Sequence, residues 1–405
     1  MIGVRQYNPK GDPMKILLIT QNFYPEIGSG ANRFKNLYTQ LSKNHEVTVL
    51  TTQPTYPNAK MYKDDKYWNE PLINQSRDIM RLNMRSNKQG RTMASRMLYY
   101  LELAYKVRTY IRKYQHEYDA VYVTTPNIFL PWATFFFQKK LKSTKRILEV
   151  RDLWPDSVRD IEKINIDKFY PTLKFMEKMM YRKADRIVIN NEGFRTHIAK
   201  MAPLKSQLFI PNAFTSNEVG FRQPPEDFKV IYTGNIGFAQ SYDQLIQVAH
   251  MLEERQIIFN VIGYGVNAHK FNHYIKKHNF KYVHTHEEKS RSECLDMIRH
   301  HSIQLSLLKE SDVFLNVLPG KIIDGIGCGI PVVTNLGGYT NSMINTYKVG
   351  FAKEKATAAE IIEAIENIKD NEQLEASYRE NSRALLDEKF LWENNIEKLE
   401  KFLES

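Results

Sequence analysis

Two cysteines in 405 residues, Cys294 and Cys328, make no disulfide framework, and neither sits at a metal-ligand spacing. Long apolar runs are missing as well. The longest candidate, 128–137, contains a proline and falls far short of the ~18 residues that cross a bilayer. Residues 1–13 lack the apolar core of a secretory signal and read as a flexible extension ahead of the first strand, so a cytoplasmic protein is expected. There is no Walker loop, no G-x-G-x-x-G fingerprint, no Asp-x-Asp triplet, no internal repeat and no low-complexity tract. Acidic residues are scarce in one half only. Residues 14–205 hold 34 Lys and Arg against 18 Asp and Glu, a balance of +16, whereas 206–405 carry 21 against 27, a balance of −6. A basic half joined to a mildly acidic one points to a polyanionic partner for the first half.

What is present is an alternation of strand and helix, which predicts an α/β fold with parallel sheets. In the first half, β-rich runs occur at 15–20, 46–51, 79–82, 120–124, 146–150, 186–189 and 208–210. In the second half, 229–233, 258–262, 303–308 and 331–334 read as strands, with helices over 242–254 and 290–300. A loop rich in proline, asparagine and serine, 211–225, separates the two series. The expected division is an extension over 1–13, a first Rossmann-like domain over 14–210, a second over 211–385, and a carboxy-terminal helix over 386–405 that packs back on the first domain. One helix has a clear apolar spacing through Met93, Met97, Tyr100, Leu101, Ala104, Val107 and Ile111.

Five stretches carry chemistry. Gly28-Ser29-Gly30 follows the first strand and opens a helix, where backbone N–H groups approach phosphate oxygens. Glu149-Val150-Arg151-Asp152-Leu153-Trp154-Pro155-Asp156-Ser157 ends a hydrophobic strand in charge, at the edge where α/β sheets place ligands. Arg151 and Asp152 are adjacent, so they point to opposite faces and only one need face a cleft. Thr233-Gly234-Asn235-Ile236-Gly237-Phe238-Ala239-Gln240 repeats the strand–glycine loop logic, and Gly263-Tyr264-Gly265 does so once more. Finally, Leu318-Pro319-Gly320-Lys321 opens a helix in which Asp324 lies one turn beyond Lys321. There a lysine can meet a diphosphate and a carboxylate can accept ribose hydroxyls; the same two side chains can equally form an exposed ion pair worth under ~1 kcal/mol. Each glycine turn taken singly can also be just a turn.

Together these stretches resemble retaining glycosyltransferase family 4, with the GT-B fold of two Rossmann-like domains facing each other across a cleft. Within that family the chain resembles the N-acetyl-L-fucosamine transferases of capsule and O-antigen synthesis, and residues 149–157 are the most specific carriers. The resemblance implies that Gly28 and Gly30 close over the donor diphosphate and that Asn235 and Gly237 line its phosphates. It implies that Lys321 binds the diphosphate, Asp324 binds ribose and Asp152 lies near the reacting carbon. Three departures stand out. Arg151 replaces the family's usual histidine. Asn316 and Asp324 stand where two glutamates are common. Phe238 stands where many relatives carry a basic residue, so Lys309 or Lys321 would take over that contact.

The implied reaction transfers a sugar, such as L-FucNAc from a UDP donor, to a polyprenyl-diphosphate-linked saccharide with retention of configuration. The barrier falls through positioning and through stabilisation of the leaving diphosphate. Without an Asp-x-Asp triplet, no metal and no other cofactor is expected. A non-hydrolysing UDP-sugar epimerase would share the scaffold but would need acid and base carboxylates and no acceptor. Nucleic acid is not an expected partner, because the basic residues are not interleaved with aromatics in any known motif. An anionic membrane surface is. The expected contact is a peripheral one on the inner face of the cell membrane, through Arg77, Arg81, Arg85, Lys88, Arg91, Arg96, Lys106, Arg108, Arg112 and Lys113. Tyr99, Trp132 and Phe135-Phe136-Phe137 are the expected interfacial aromatics; the alternative is that the apolar face is ordinary core, these aromatics are buried and the charges solvate a surface.

Overall fold

The computed structural model describes residues 13–86, 93–136, 144–159, 167–311, 314–315 and 317–404. Seven strands form the first sheet: β1 (Lys15–Ile19), β2 (Glu46–Thr52), β3 (Ile79–Leu82), β4 (Ala120–Thr124), β5 (Lys145–Val150), β6 (Arg186–Ile189) and β7 (Gln207–Phe209). Their order is β3-β2-β1-β4-β5-β6-β7, and every pairing is parallel. Six more form the second: β8 (Lys229–Asn235), β9 (Ile258–Tyr264), β10 (Val283–His286), β11 (Ile303–Ser306), β12 (Val332–Thr334) and β13 (Gly350–Ala352). Their order is β10-β9-β8-β11-β12-β13, again parallel throughout. In each sheet the chain reverses its direction of travel beside the first strand, between β1 and β4 and between β8 and β11. That switch point leaves a crevice at the carboxyl ends of the strands.

Both sheets are covered on both faces, which is why their strands read as near-continuous apolar runs. Along β1, Leu17 and Ile19 enter one core cluster while Ile16 and Leu18 enter the other. All four are fully buried, at ~1.5–3 kcal/mol each. β10 and β13, absent from the sequence reading, are the two edge strands of the second sheet. β10 reads Val-His-Thr-His, and β13 spans three residues. An edge strand buries fewer side chains, so its pattern is weak.

The chain crosses between domains twice, at one place. Phe214 N–H donates to Phe390 O and Trp392 N–H donates to Phe214 O, both at 2.8 Å. The last helix, Trp392–Glu404, then buries Trp392, Ile396, Leu399 and Leu403 in the first domain's core, against the helix Ser29–Leu41.

The helix Met93–Tyr114 forms as expected, and Val107 and Ile111 of the expected face are buried, but the buried stripe is shifted towards Tyr99 and Leu103. Tyr99, Leu103, Val107 and Ile111 are its buried residues, four apart along one stripe. Leu98, Leu101 and Tyr105 are 62%, 49% and 70% exposed. Several aromatics expected at an interface are therefore core: Tyr99 and Phe135 are buried, and Trp132 stacks on Phe136. Lys88, Arg91 and Phe137 lie outside the described residues.

Candidate functional site: a cleft between two helix amino termini

The cleft between the sheets encloses about 580 Å³ and is lined from both domains. On the first-domain side, the turn after β1 delivers Gly28, whose φ of 133° is open to glycine and strained for other residues. Gly30 follows inside the helix. A Cβ there would stand 2.4 Å from Nη2 of Arg151, so glycine lets that guanidinium lie against the helix. On the opposite side the helix Gly320–Gly327 begins at Gly320, where an added Cβ would be 3.4 Å from Cβ of Ser29. Two helix amino termini, one from each domain, therefore open side by side, and neither has a side-chain cap on its N–H groups. Each carries roughly half a positive charge.

Lys321, the second residue of that helix, lines the cleft. Its Nζ is buried, has no hydrogen-bond partner among the described residues and sits 3.7 Å from the centroid of the Tyr232 ring. Burial pulls its pKa down to about 7, with Asp324 opposing. Asp324 is not its ion-pair partner. Arg291 Nη1 donates to Asp324 Oδ1 at 2.6 Å, and Arg291 Nε donates to Glu218 Oε1 at 3.2 Å. Burial pushes the Asp324 carboxyl up, and Arg291 works against that shift. The alternative of an exposed Lys321–Asp324 pair is thus replaced by a buried lysine beside an Arg291–Asp324 pair.

Asn235 closes β8 and also lines the cavity. Its Oδ1 is buried without a partner. Gly237 lies just behind it, and its N–H donates to Gln240 Oε1 at 2.8 Å. Lys309 is elsewhere: it is exposed, does not line the cavity, and is tied by its backbone N–H to Ala239 O at 2.9 Å. Of the residues singled out from sequence, the cavity wall gathers Gly28, Asn235, Lys321 and Asp324. Gly30, Gly237, Arg151 and Asp152 stand behind or beside it.

Arg151 and Asp152 follow directly after β5, just past the end of the strand. Arg151 stacks over Phe34 at 5.3 Å and lies 4.0 Å from Glu149. Burial lowers its pKa, with Glu149 opposing. Burial raises the Asp152 carboxyl to about 6, against the Ser157 side chain, the Leu153 N–H and Arg151. Beneath them lies a fully buried pair that the sequence reading missed. Arg33 Nε donates to Glu149 Oε1 at 2.8 Å, Tyr122 hydrogen-bonds to Glu149 Oε2, and Arg33 Nη1 donates to Pro211 O at 2.8 Å. The partners are more than a hundred positions apart, so only the fold shows the pairing. Arg291 was missed for the same reason. Its one local signal was Ser290, which with Glu293 forms a capping box at the start of that helix.

Residues 215–385 match the family described as glycosyl transferases group 1. The match lies within the second domain and covers less than half of the chain. Among curated proteins, the chain is 22% identical over 273 residues to the putative colanic acid biosynthesis glycosyl transferase WcaI of Escherichia coli K12. That alignment spans 62% of this chain and 66% of the relative, just under two thirds of its length. Solved structures share the whole architecture. Sucrose-phosphate synthase from Thermosynechococcus elongatus superposes with a TM-score of 0.71 at 13% identity, covering 96% of this chain and 98% of that one. Anabaena HepE bound to UDP-glucose gives 0.70 at 14% identity, covering 96% and 99%. WaaG, a glycosyltransferase of lipopolysaccharide biosynthesis, gives 0.67 at 14%, covering 96% and 99%. At such identities these structures establish the two-domain fold.

Proposed function

We propose that this protein is a retaining glycosyltransferase of family 4. It would move a sugar from a nucleoside diphosphate, with UDP-linked L-FucNAc as the leading donor, to a polyprenyl-diphosphate-linked saccharide in capsule or O-antigen assembly. The observation that carries the reading is the unpartnered, buried Lys321 between two uncapped helix amino termini. Burying an ammonium without a counter-ion is costly. A diphosphate is a ligand that would offset the cost, and the same groups would stabilise it as a leaving group without a divalent ion. HepE, of the same fold, holds UDP-glucose, which supports a UDP donor.

On this reading Asn235 and the Gly28 and Gly30 backbone would meet the phosphates, with Gly237 supporting that loop. Asp324 would take the ribose. Asp152, its carboxyl raised to about 6, would stand beside the reacting carbon with Arg151 next to it. Acceptor delivery would occur at a membrane. Leu98, Leu101 and Tyr105 on one helix, and Phe169 and Phe175 at the start and within the helix Tyr170–Lys183, are exposed, and the same two helices carry Arg112, Lys113, Lys178, Arg182 and Lys183. Both helices pack on the same face of the first sheet. Among the described residues no helix is long and apolar enough to cross a membrane, so the contact would be peripheral.

The test is the stereochemistry of the product made in saturating EDTA, read by NMR. Retention of the donor's anomeric configuration is expected. Inversion, or activity lost in EDTA and restored by Mn²⁺, would remove the retaining, metal-independent mechanism.

A further inference from the structure

Arg291 is the most constrained cation of the cleft. It is the first residue of the helix Arg291–Arg299, whose start is fixed by the Ser290–Glu293 capping box. Its guanidinium lies 5.0 Å from the centroid of the Phe214 ring. Nε is held by Glu218, whose own Oε2 accepts the Thr215 N–H at 3.1 Å. Nη1 binds Asp324 Oδ1 at 2.6 Å. Glu218 and Thr215 belong to the segment that connects the two domains, so the arginine ties that segment to the helix carrying Asp324 and Lys321. Two carboxylates already share this guanidinium, which makes it a poor direct ligand for a phosphate. What it does is fix one carboxylate. A short aspartate in a largely apolar wall would otherwise be free to protonate or to rotate. With Oδ1 engaged, Oδ2 remains on a residue that lines the cavity and can accept a hydroxyl.

We propose that Arg291 is a positioning residue that presents Asp324 to the ribose of the donor nucleotide, making the cleft selective for ribonucleotides over their 2′-deoxy counterparts. The inference rests on the nucleotide-donor reading given above. A hydroxyl bound to an ionised carboxylate is a charge-assisted contact, and its loss corresponds to on the order of ten- to a hundredfold in affinity.

The experiment is calorimetric titration of the full chain with UDP, GDP and ADP, and with the 2′-deoxy form of whichever binds best. Arg291→Met keeps an unbranched apolar side chain beside Phe214 and removes the charge and the fork. Arg291→Lys keeps the charge but not the planar fork, and stands in if the methionine variant does not fold. The wild type should favour the ribonucleotide at least tenfold. Arg291→Met should bring the two within about threefold, with Arg291→Lys between. Lys321→Ala should weaken both nucleotides equally and leave their ratio intact. Loss of discrimination in the Arg291 variants supports the proposal. Full discrimination in them, or none in the wild type while it still binds diphosphates, overturns it and leaves the donor reading standing. Failure of all three diphosphates to bind the wild type overturns both.

Discussion

Lys321 is the residue where sequence and structure meet most directly. Its place near a helix start after Pro-Gly was legible, because proline and glycine mark that boundary. Its isolation was not, since Arg291 claims Asp324 from 33 positions upstream. The isolation has a pH consequence. With its pKa pulled to about 7 by burial, Lys321 is largely neutral at pH 8, and an arriving diphosphate restores the proton by favouring the charged form. Binding therefore takes up a proton above pH 7. The affinity for a nucleotide sugar, whose diphosphate does not itself titrate there, should fall by up to about tenfold per pH unit between pH 7 and 9. Lys321→Arg, charged at every pH, should flatten that slope. A slope unchanged in the arginine variant would assign the proton to another group. Asp152 carries a second expectation. Its carboxyl, raised to about 6 by burial, should place an acid limb near pH 6 in kcat, and Asp152→Asn should lower kcat by more than tenfold while changing donor affinity little. An Asp152→Asn enzyme with wild-type kcat would remove this residue from the chemistry.

Elements were legible where burial is two-sided. β1, β4, β5, β6, β8 and β9 are central strands, and each was placed to within two residues because apolar runs bounded by glycine or charge have few other readings. The edge strands β10 and β13 were not visible. The helix Met93–Tyr114 shows a subtler failure. It is apolar on two sides, so spacing gave a face that held Val107 and Ile111 but ran through Leu101, whereas packing continues the buried stripe through Leu103 and Tyr99. The unused side, with Leu98, Leu101 and Tyr105, becomes the membrane contact in our reading. Burying such side chains contributes ~1.5–3 kcal/mol each, and nearby cations about 1 kcal/mol each at an anionic surface. The protein should sediment with phosphatidylglycerol vesicles at low salt, be released near 0.5 M NaCl as ~10 Å screening shortens further, and ignore neutral vesicles. Leu98→Ser with Leu101→Ser should lower the bound fraction at least tenfold and leave nucleotide affinity untouched. Equal partitioning to neutral and anionic vesicles, or none to either, would refute the membrane contact.

At the scale of the whole molecule, the two-domain architecture was readable from the repeated strand–helix rhythm and the polar join at 211–225. The return of the chain was harder to read. The segment around Phe214 pairs with Leu391 as an isolated parallel bridge, and the last helix fills the first domain's core. These two crossings join the halves of a cleft onto which one helix amino terminus opens from each, the site proposed for the phosphates. The central claim is that this shared site binds a nucleoside diphosphate through Lys321. Calorimetry of UDP and UDP-sugars against the wild type and Lys321→Ala at pH 7 tests it most directly. The account predicts stoichiometric binding to the wild type, weakened in Lys321→Ala by about 1.5–3 kcal/mol. Equal affinity in the two proteins would contradict it.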